Sequence, residues 1–241
     1  MARLFLIPAP LGEADTPWLP EPERLRIVSI RHFVVEAEKT ARKHLKALGL
    51  DTPIRELALS TLNEHTAASD VAALLEPLKQ GHDVGLISEA GCPAVADPGA
   101  QLVALAHERG IEVVPLIGPS SILLALMASG ANGQRFAFHG YLPVEADARA
   151  QAIKNLEQRS RQNDESQAFI ETPYRNNALL AQLRTTLSPA TRLAVACDLS
   201  LPGQTIVSRR VKDWPDPAPD LHKRPAIFVI YAEGDSRRAA K

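Results

Sequence analysis

The sequence predicts an α/β protein of two domains, with a parallel sheet in the N-terminal half and a mixed sheet in the C-terminal half. Three observations point there. Short apolar runs alternate with stretches of helical periodicity. In the first half those runs are continuous rather than alternating, as parallel strands covered on both faces should be. The chain has 241 residues, 45% of them hydrophobic, which suits one large domain or two small ones around an aliphatic core.

The elements follow in order. Residues 4–7 read as the first strand, and residues 27–30 or 33–35 as the second. Residues 39–48 have helical spacing and are closed by Gly49, a natural helix stop. A third strand is expected over 54–59. A helix follows over 67–79, with Val71, Leu74, Leu75 and Leu78 on one face. Residues 84–87 and 111–116 are apolar strand candidates, and between them a helix runs to Gly110. After residue 120 comes a helix that is apolar all round and so is expected to be buried.

A cluster of Gly, Ala, Asn and Gln near residues 130–135 sets the expected boundary, with domains at 1–132 and 133–241. In the second half, strands are expected at 136–139, 167–170, 193–196, 205–208 and 226–231. Helices are expected at 146–162 and 175–187, the latter ended by Ser188-Pro189. The Pro-rich residues 214–219 read as a surface loop, and the tail from Asp235 as frayed.

Composition excludes several classes of function. Net charge is −1, so no strong field attracts nucleic acid. Aromatics are 5% of the chain, which argues against a fold that binds single strands on stacked aromatics. The two cysteines, Cys92 and Cys197, form neither a CxxC nor a zinc spacing, so no metal is expected and a reducing compartment fits. The N-terminus lacks a signal-peptide pattern. The uncharged residues 113–134 are broken by Pro115, Gly118 and Pro119 and do not read as a membrane span. The expectation is a soluble, cytoplasmic protein with no membrane partner.

Five segments could carry chemistry. The most informative is Ser88-Glu89-Ala90-Gly91-Cys92-Pro93-Ala94-Val95-Ala96-Asp97-Pro98-Gly99, which leaves the carboxyl end of a buried strand. Open α/β sheets bind ligands outside those ends. The excursion is long, and its small residues let a ligand approach the backbone. An ordinary loop, with Asp97 as helix N-cap and Pro98 in the first turn, is the alternative. The second is Pro115-Leu116-Ile117-Gly118-Pro119-Ser120-Ser121, where the two serines either receive a polar ligand or merely cap the helix.

The third is Ile170-Glu171-Thr172-Pro173-Tyr174-Arg175. Here Thr172 reads as an N-cap, and Glu171, Tyr174 and Arg175 as a cleft rim. The fourth is Pro8-Ala9-Pro10-Leu11-Gly12-Glu13, which is no dinucleotide fingerprint. The fifth is Asn63-Glu64-His65, in which Glu64 or His65 is either a general base or a solvated surface residue.

Taken in order, these segments resemble the tetrapyrrole methylase family, the class III S-adenosylmethionine (SAM)-dependent methyltransferases. Within it they resemble the branch that 2′-O-methylates cytidine in small-subunit ribosomal RNA. The matching marks are Pro8-x-Pro10-Leu11-Gly12, Asn63-Glu64, Ser88-x-Ala90-Gly91-x-Pro93 with Asp97-Pro98-Gly99, Pro115-x-x-Gly118-Pro119, Glu171-x-x-x-Arg175 and Pro225-Ala226-Ile227.

The resemblance implies SAM as cofactor in an interdomain cleft, a homodimer, and an RNA or small-molecule acceptor. A tetrapyrrole methylase and a non-catalytic module that keeps SAM or its product S-adenosylhomocysteine are the alternatives. It implies SAM contacts from Pro10, from Glu89, Ala90, Gly91, Cys92, Pro93, Val95 and Asp97, and from Ser120 and Ser121. The second domain would add Thr172, Pro173, Pro225, Ala226 and Ile227. Candidate catalytic residues are Glu64, His65, Glu38 and Arg175. Cys92 stands where the family has Asp, Glu13 follows Gly12 in place of Asn, and residues 198–201 lack the family's lysine.

Overall fold

A computed structural model describes residues 2–13 and 18–234. They form two compact units, residues 1–120 and 121–241. The tail from Asp235, expected to fray, lies outside the described residues.

In the first unit the order is β1 (Arg3–Ile7), α1 (Glu21–Leu25), β2 (His32–Val35), α2 (Glu38–Leu48), β3 (Ala58–Thr61), α3 (Ala68–Val71), α4 (Glu76–Lys79), β4 (Val84–Ile87), α5 (Ala100–Glu108) and β5 (Glu112–Pro115). The strands form one sheet in the order β3-β2-β4-β1-β5, every pairing parallel. Successive residues of β1 feed opposite cores: Phe5 and Ile7 join Phe33 and Leu45 on one side, and Leu4 joins Val34, Leu75 and Leu102 on the other. This is why its sequence is a continuous apolar run. Each fully buried Phe or Leu contributes about 2 kcal/mol. Gly85 in β4 has no room for a side chain, since a Cβ there would lie 2.7 Å from Ile7 Cδ1 and Phe33 Cδ1.

Of the two candidates for the second strand the structure takes the latter, at 32–35, and three further expectations in this unit are corrected. Ile27 and Ile30 instead lie buried in the turn after α1, their backbones held by bonds such as Ile30 N–H to Ile27 O at 3.0 Å. The third strand shifts to 58–61. Pro53 opens a 3-10 turn at Ile54–Glu56, whose bonds, Glu56 N–H to Pro53 O at 2.8 Å among them, occupy the backbone that a strand would have needed. The single helix over 67–79 is broken into α3, a 3-10 stretch (Ala72–Leu75) and α4. Pro77 cannot donate to the turn before it, and that turn tightens. Asp97 does not cap α5: the N-cap is Gly99, at φ +135°, and residues 97–99 form a bend and turn ahead of it.

The second unit runs α6 (Ser121–Ser129), β6 (Phe136–Tyr141), α7 (Ala146–Asn163), β7 (Ser166–Ile170), α8 (Asn176–Thr186), β8 (Arg192–Cys197), β9 (Thr205–Arg210) and β10 (Ala226–Tyr231). The sheet order is β6-β7-β10-β8-β9. Only β6–β7 is parallel; the other three pairings are antiparallel, so the sheet is mixed. Central β10 is buried along its whole length. Phe169 and Phe228 stack beneath the sheet at 5.9 Å between ring centroids.

The sequence put the boundary at residue 132, whereas the contacts group α6 with the second unit, against β8, β9 and β10. The helix is not buried all round: Ala125, Leu126 and Ser129 are, while Leu123 and Met127 are exposed. Thr172 is not a helix N-cap either. Residues 173–175 form a turn closed by Arg175 N–H to Thr172 O at 2.9 Å, and the helix starts at Asn176. Trp214, read as part of a surface loop, is buried, and its indole N–H donates to Leu193 O at 3.0 Å.

Candidate functional site

In the first unit, three loops meet at the carboxyl end of the parallel sheet. Ala9 N–H donates to Gly91 O at 2.8 Å and Gly91 N–H to Ala9 O at 3.1 Å. This two-bond bridge ties the loop after β1 to the loop after β4. The loop after β5 joins them: the Cys92 thiol donates to Pro119 O at 3.4 Å, and Gly118 lies against Pro8. A Cβ on Gly118 would come within 2.4 Å of Pro8 Cβ, so only glycine allows this approach. Trp18 fixes the far side, its indole N–H donating to Pro8 O at 2.8 Å.

The loop after β4 is bent by residues on the left-handed side of backbone space. Gly91 has φ +72°, Ala94 φ +65° and Ala96 φ +63°. The two alanines each hold strain of about 1 kcal/mol, which the surrounding contacts must offset. Such strain concentrates where a chain is shaped around a ligand. Within the loop Gly91 and Pro93 are buried, while Glu89, Ala90 and Val95 are exposed.

The mouth of these loops is acidic. Glu89 is held from three directions: the Thr40 hydroxyl donates to Glu89 Oε1 at 2.9 Å, His44 Nε2 donates to Glu89 O at 3.0 Å, and Glu89 N–H donates to Glu36 Oε2 at 3.3 Å. Burial pushes the Asp97 carboxyl up to about 6. The charges of Glu36 and Glu89 add to the rise, and a hydrogen bond from Ser88 opposes it. Burial also raises Glu36, partly offset by the Glu89 N–H. The Cys92 thiol is pushed up by burial and then by Asp97. Neighbouring carboxylates in a half-buried setting favour a cationic guest.

Of the other expected residues, Pro10 and Ser120 lie on the loops of this knot and the rest fall outside it. Pro10 is buried beside the Ala9 bridge. Glu64 and His65 stand 3.5 Å apart on the loop after β3, each side chain 84% exposed, and Glu38 pairs with Arg42 at 2.9 Å on the surface of α2. Ser120 ends the loop after β5, and Ser121 is the first residue of α6.

In the second unit, antiparallel pairing brings the end of β7 beside the start of β10, with Ile227 opposite Ile170. Thr172, Pro173, Pro225, Ala226 and Ile227 therefore gather at one end of the sheet, and Lys223 N–H donates to Pro173 O at 3.0 Å. Below them Glu171 Oε1 accepts from Thr172 N–H and from the Arg175 guanidinium, both at 2.6 Å. Glu171 Oε2, Arg175 Nε and Asn176 Oδ1 are buried without hydrogen-bond partners.

Sequence reasoning missed Glu36, Thr40 and His44. The rule that ligands bind at carboxyl strand ends would have found Glu36, which directly follows β2. Thr40 and His44 carried no such signal, because they reach Glu89 from α2 only through the tertiary fold. A cavity of about 650 Å³ at the opposite, amino end of the sheet is lined by Arg3, Arg31, His32 and His82 among others.

The profile of the tetrapyrrole (corrin/porphyrin) methylases matches residues 25–214. The chain belongs to this family. A ribosomal RNA small subunit methyltransferase I from Pseudomonas aeruginosa is 31% identical over 96% of this chain and 78% of that protein. Another protein of that name, from Pasteurella multocida, is 33% identical over 70% of this chain and 60% of its own length. Among solved structures, the methyltransferase CobJ superposes with a TM-score of 0.61 at 19% identity, covering 96% of this chain and all of CobJ, a likeness of fold. Membership makes the chain a methyltransferase of the SAM-dependent class. Among the described residues, no helix is long and apolar enough to cross a membrane.

Proposed function

We propose that the protein transfers a methyl group from SAM to small-subunit ribosomal RNA, with SAM seated on the acid-lined loops of the first unit. The observation that carries the donor site is the Ala9–Gly91 bridge with Asp97 and Glu89 beside it. SAM carries a sulfonium and an ammonium, and the carboxylates of Glu36, Glu89 and Asp97 suit such a guest. Gly91, Pro93 and Val95 would present backbone and apolar surface to the rest of it. Cys92, where the family has Asp, supplies no charge, and Glu89 and Asp97 take that part.

Pro10, Ala90 and Ser120 complete the proposed contacts of the first unit. Ser121, the first residue of α6, joins Thr172, Pro173, Pro225, Ala226 and Ile227 as those of the second. Transfer from a sulfonium is an in-line displacement, so holding acceptor and methyl in line supplies much of the rate. A hydroxyl acceptor also needs its proton removed, and Glu64, His65 and Glu38 are the proposed acceptors of that proton. Arg175, oriented by Glu171, is proposed to position the acceptor. A homodimer and a cytoplasmic setting belong to the same reading.

The acceptor assignment is supported by the two relatives named for ribosomal RNA methylation. A second reading, a tetrapyrrole or other small-molecule acceptor, is favoured by the net charge of −1, which gives little phosphate attraction. Incubation with methyl-labelled SAM decides between them. Label in small-subunit ribosomal RNA supports the first reading. Label in a tetrapyrrole, with none in RNA, overturns it.

A further inference from the structure

We infer that Tyr174, His222 and Lys223 form a single-base stacking platform for the acceptor RNA, an inference that rests on the RNA reading above. Tyr174 is 69% exposed, in a chain with only three tyrosines. The His222 ring stands edge-on to it, 6.0 Å between centroids at 75°, and Lys223 Nζ lies 5.9 Å from its centroid. An exposed ring with an imidazole edge-on to it and one ammonium over it suits an unpaired nucleotide. The base stacks on the ring, and the phosphate meets the ammonium.

The arrangement is built rather than incidental. Tyr174 sits in the turn at 173–175, and that turn is tied to the 220–224 corner by Lys223 N–H to Pro173 O at 3.0 Å. The corner is itself pinned to α8. Asn177 donates to Asp220 Oδ1 at 2.6 Å and accepts from Leu221 N–H at 2.8 Å, and His222 N–H donates to Asp220 Oδ1 at 3.0 Å. Lys223 takes φ +59°, a left-handed conformation uncommon for lysine, and this corner holds it there.

The neighbouring Arg224 is fully engaged by Asp198, Gly203 O, Asp220 O and Thr205, which leaves Lys223 as the cation at the ring. The low aromatic content excludes an extended stacking surface, but one ring suffices to seat one splayed base. A low net charge is compatible with this, since a single stacked base and one phosphate contact give modest, local affinity.

The test is fluorescence anisotropy of a fluorescein-labelled single-stranded oligoribonucleotide with the full chain, with SAM affinity measured in parallel by calorimetry. Tyr174→Ala is expected to weaken RNA binding roughly tenfold, and Tyr174→Phe to keep it. Lys223→Gln is expected to lower the salt dependence by about one phosphate contact. SAM affinity is expected to be unchanged in all three. If Tyr174→Ala binds RNA like the wild type, the platform is overturned and the RNA reading stands. If Tyr174→Ala loses SAM and RNA together, the residue supports the turn at 172–173 and the platform is overturned. If the wild type binds SAM but no RNA, both the RNA reading and the platform fall.

Discussion

Glu171 and Arg175 form an ion pair at 2.6 Å in which the carboxylate is 1% exposed and the arginine side chain 37%. The pair spans four residues across the turn between β7 and α8, and Glu171 also accepts the Thr172 N–H. One carboxylate oxygen thus fixes the direction of the chain at the end of β7.

Breaking that pair leaves a buried carboxylate without its cation. Arg175→Ala is expected to lower stability by about 2 kcal/mol, read as a fall in the urea midpoint. Arg175→Lys is expected to recover part of this, because an ammonium neutralises the charge without the guanidinium's fork. An unchanged midpoint in Arg175→Ala would show that solvent replaces the arginine.

The two glycines of the loop knot separate strain from collision. Gly91→Ala meets ordinary contacts, its Cβ 3.5 Å from Leu11 Cδ2, but must take φ +72°. It is expected to cost about 1 kcal/mol. Gly118→Ala forces its Cβ to within 2.4 Å of Pro8 Cβ, so the loops after β1 and β5 must part. It is expected to cost about 3 kcal/mol and to weaken SAM binding more than Gly91→Ala does. Thermal melts and donor titrations of both variants check this order.

Asp97 sets a pH dependence of stability. Its carboxyl titrates near 6 in the folded chain, against an ordinary value of 3.8. Between those values the folded state binds more protons than the unfolded state, so stability falls as pH rises through that window. The full effect is about 3 kcal/mol, present below pH 4 and lost above pH 6. Asp97→Asn is expected to flatten the slope, in urea melts at pH 4.5 and 7.5 (roughly the two sides of the window). An equal slope in both proteins would contradict the buried-carboxyl account.

The same carboxyl couples to the donor. A cation seated beside Asp97 favours its ionised form, so SAM binding near pH 6 is expected to release a proton. Calorimetry in two buffers of different ionisation heat reads that release, and Asp97→Asn is expected to abolish it.

The sequence announced the strands best. The run at 84–87 was legible because both faces of β4 are buried, so apolarity needed no phase. The loop after β4, where the donor site is proposed, stood out because its length and small residues exceed what a connection needs. Boundaries set by single prolines were lost: Pro53 and Pro77 redirect a few residues in ways that periodicity averages away. The acidic mouth was half legible. Glu89 and Asp97 lie in the loop itself, whereas Glu36, Thr40 and His44 join only when β2, β4 and α2 pack, and no spacing records that. The Tyr174–His222–Lys223 cluster links segments 48 residues apart through a sheet pairing and had no local signature.

The most direct test of the central claim is calorimetric titration of SAM into the ligand-free protein, with Gly118→Ala and Asp97→Asn in parallel. The account predicts one site per chain at micromolar affinity, about −8 kcal/mol, weakened in both variants. Wild-type protein, verified free of co-purified ligand, that takes up no SAM would contradict it.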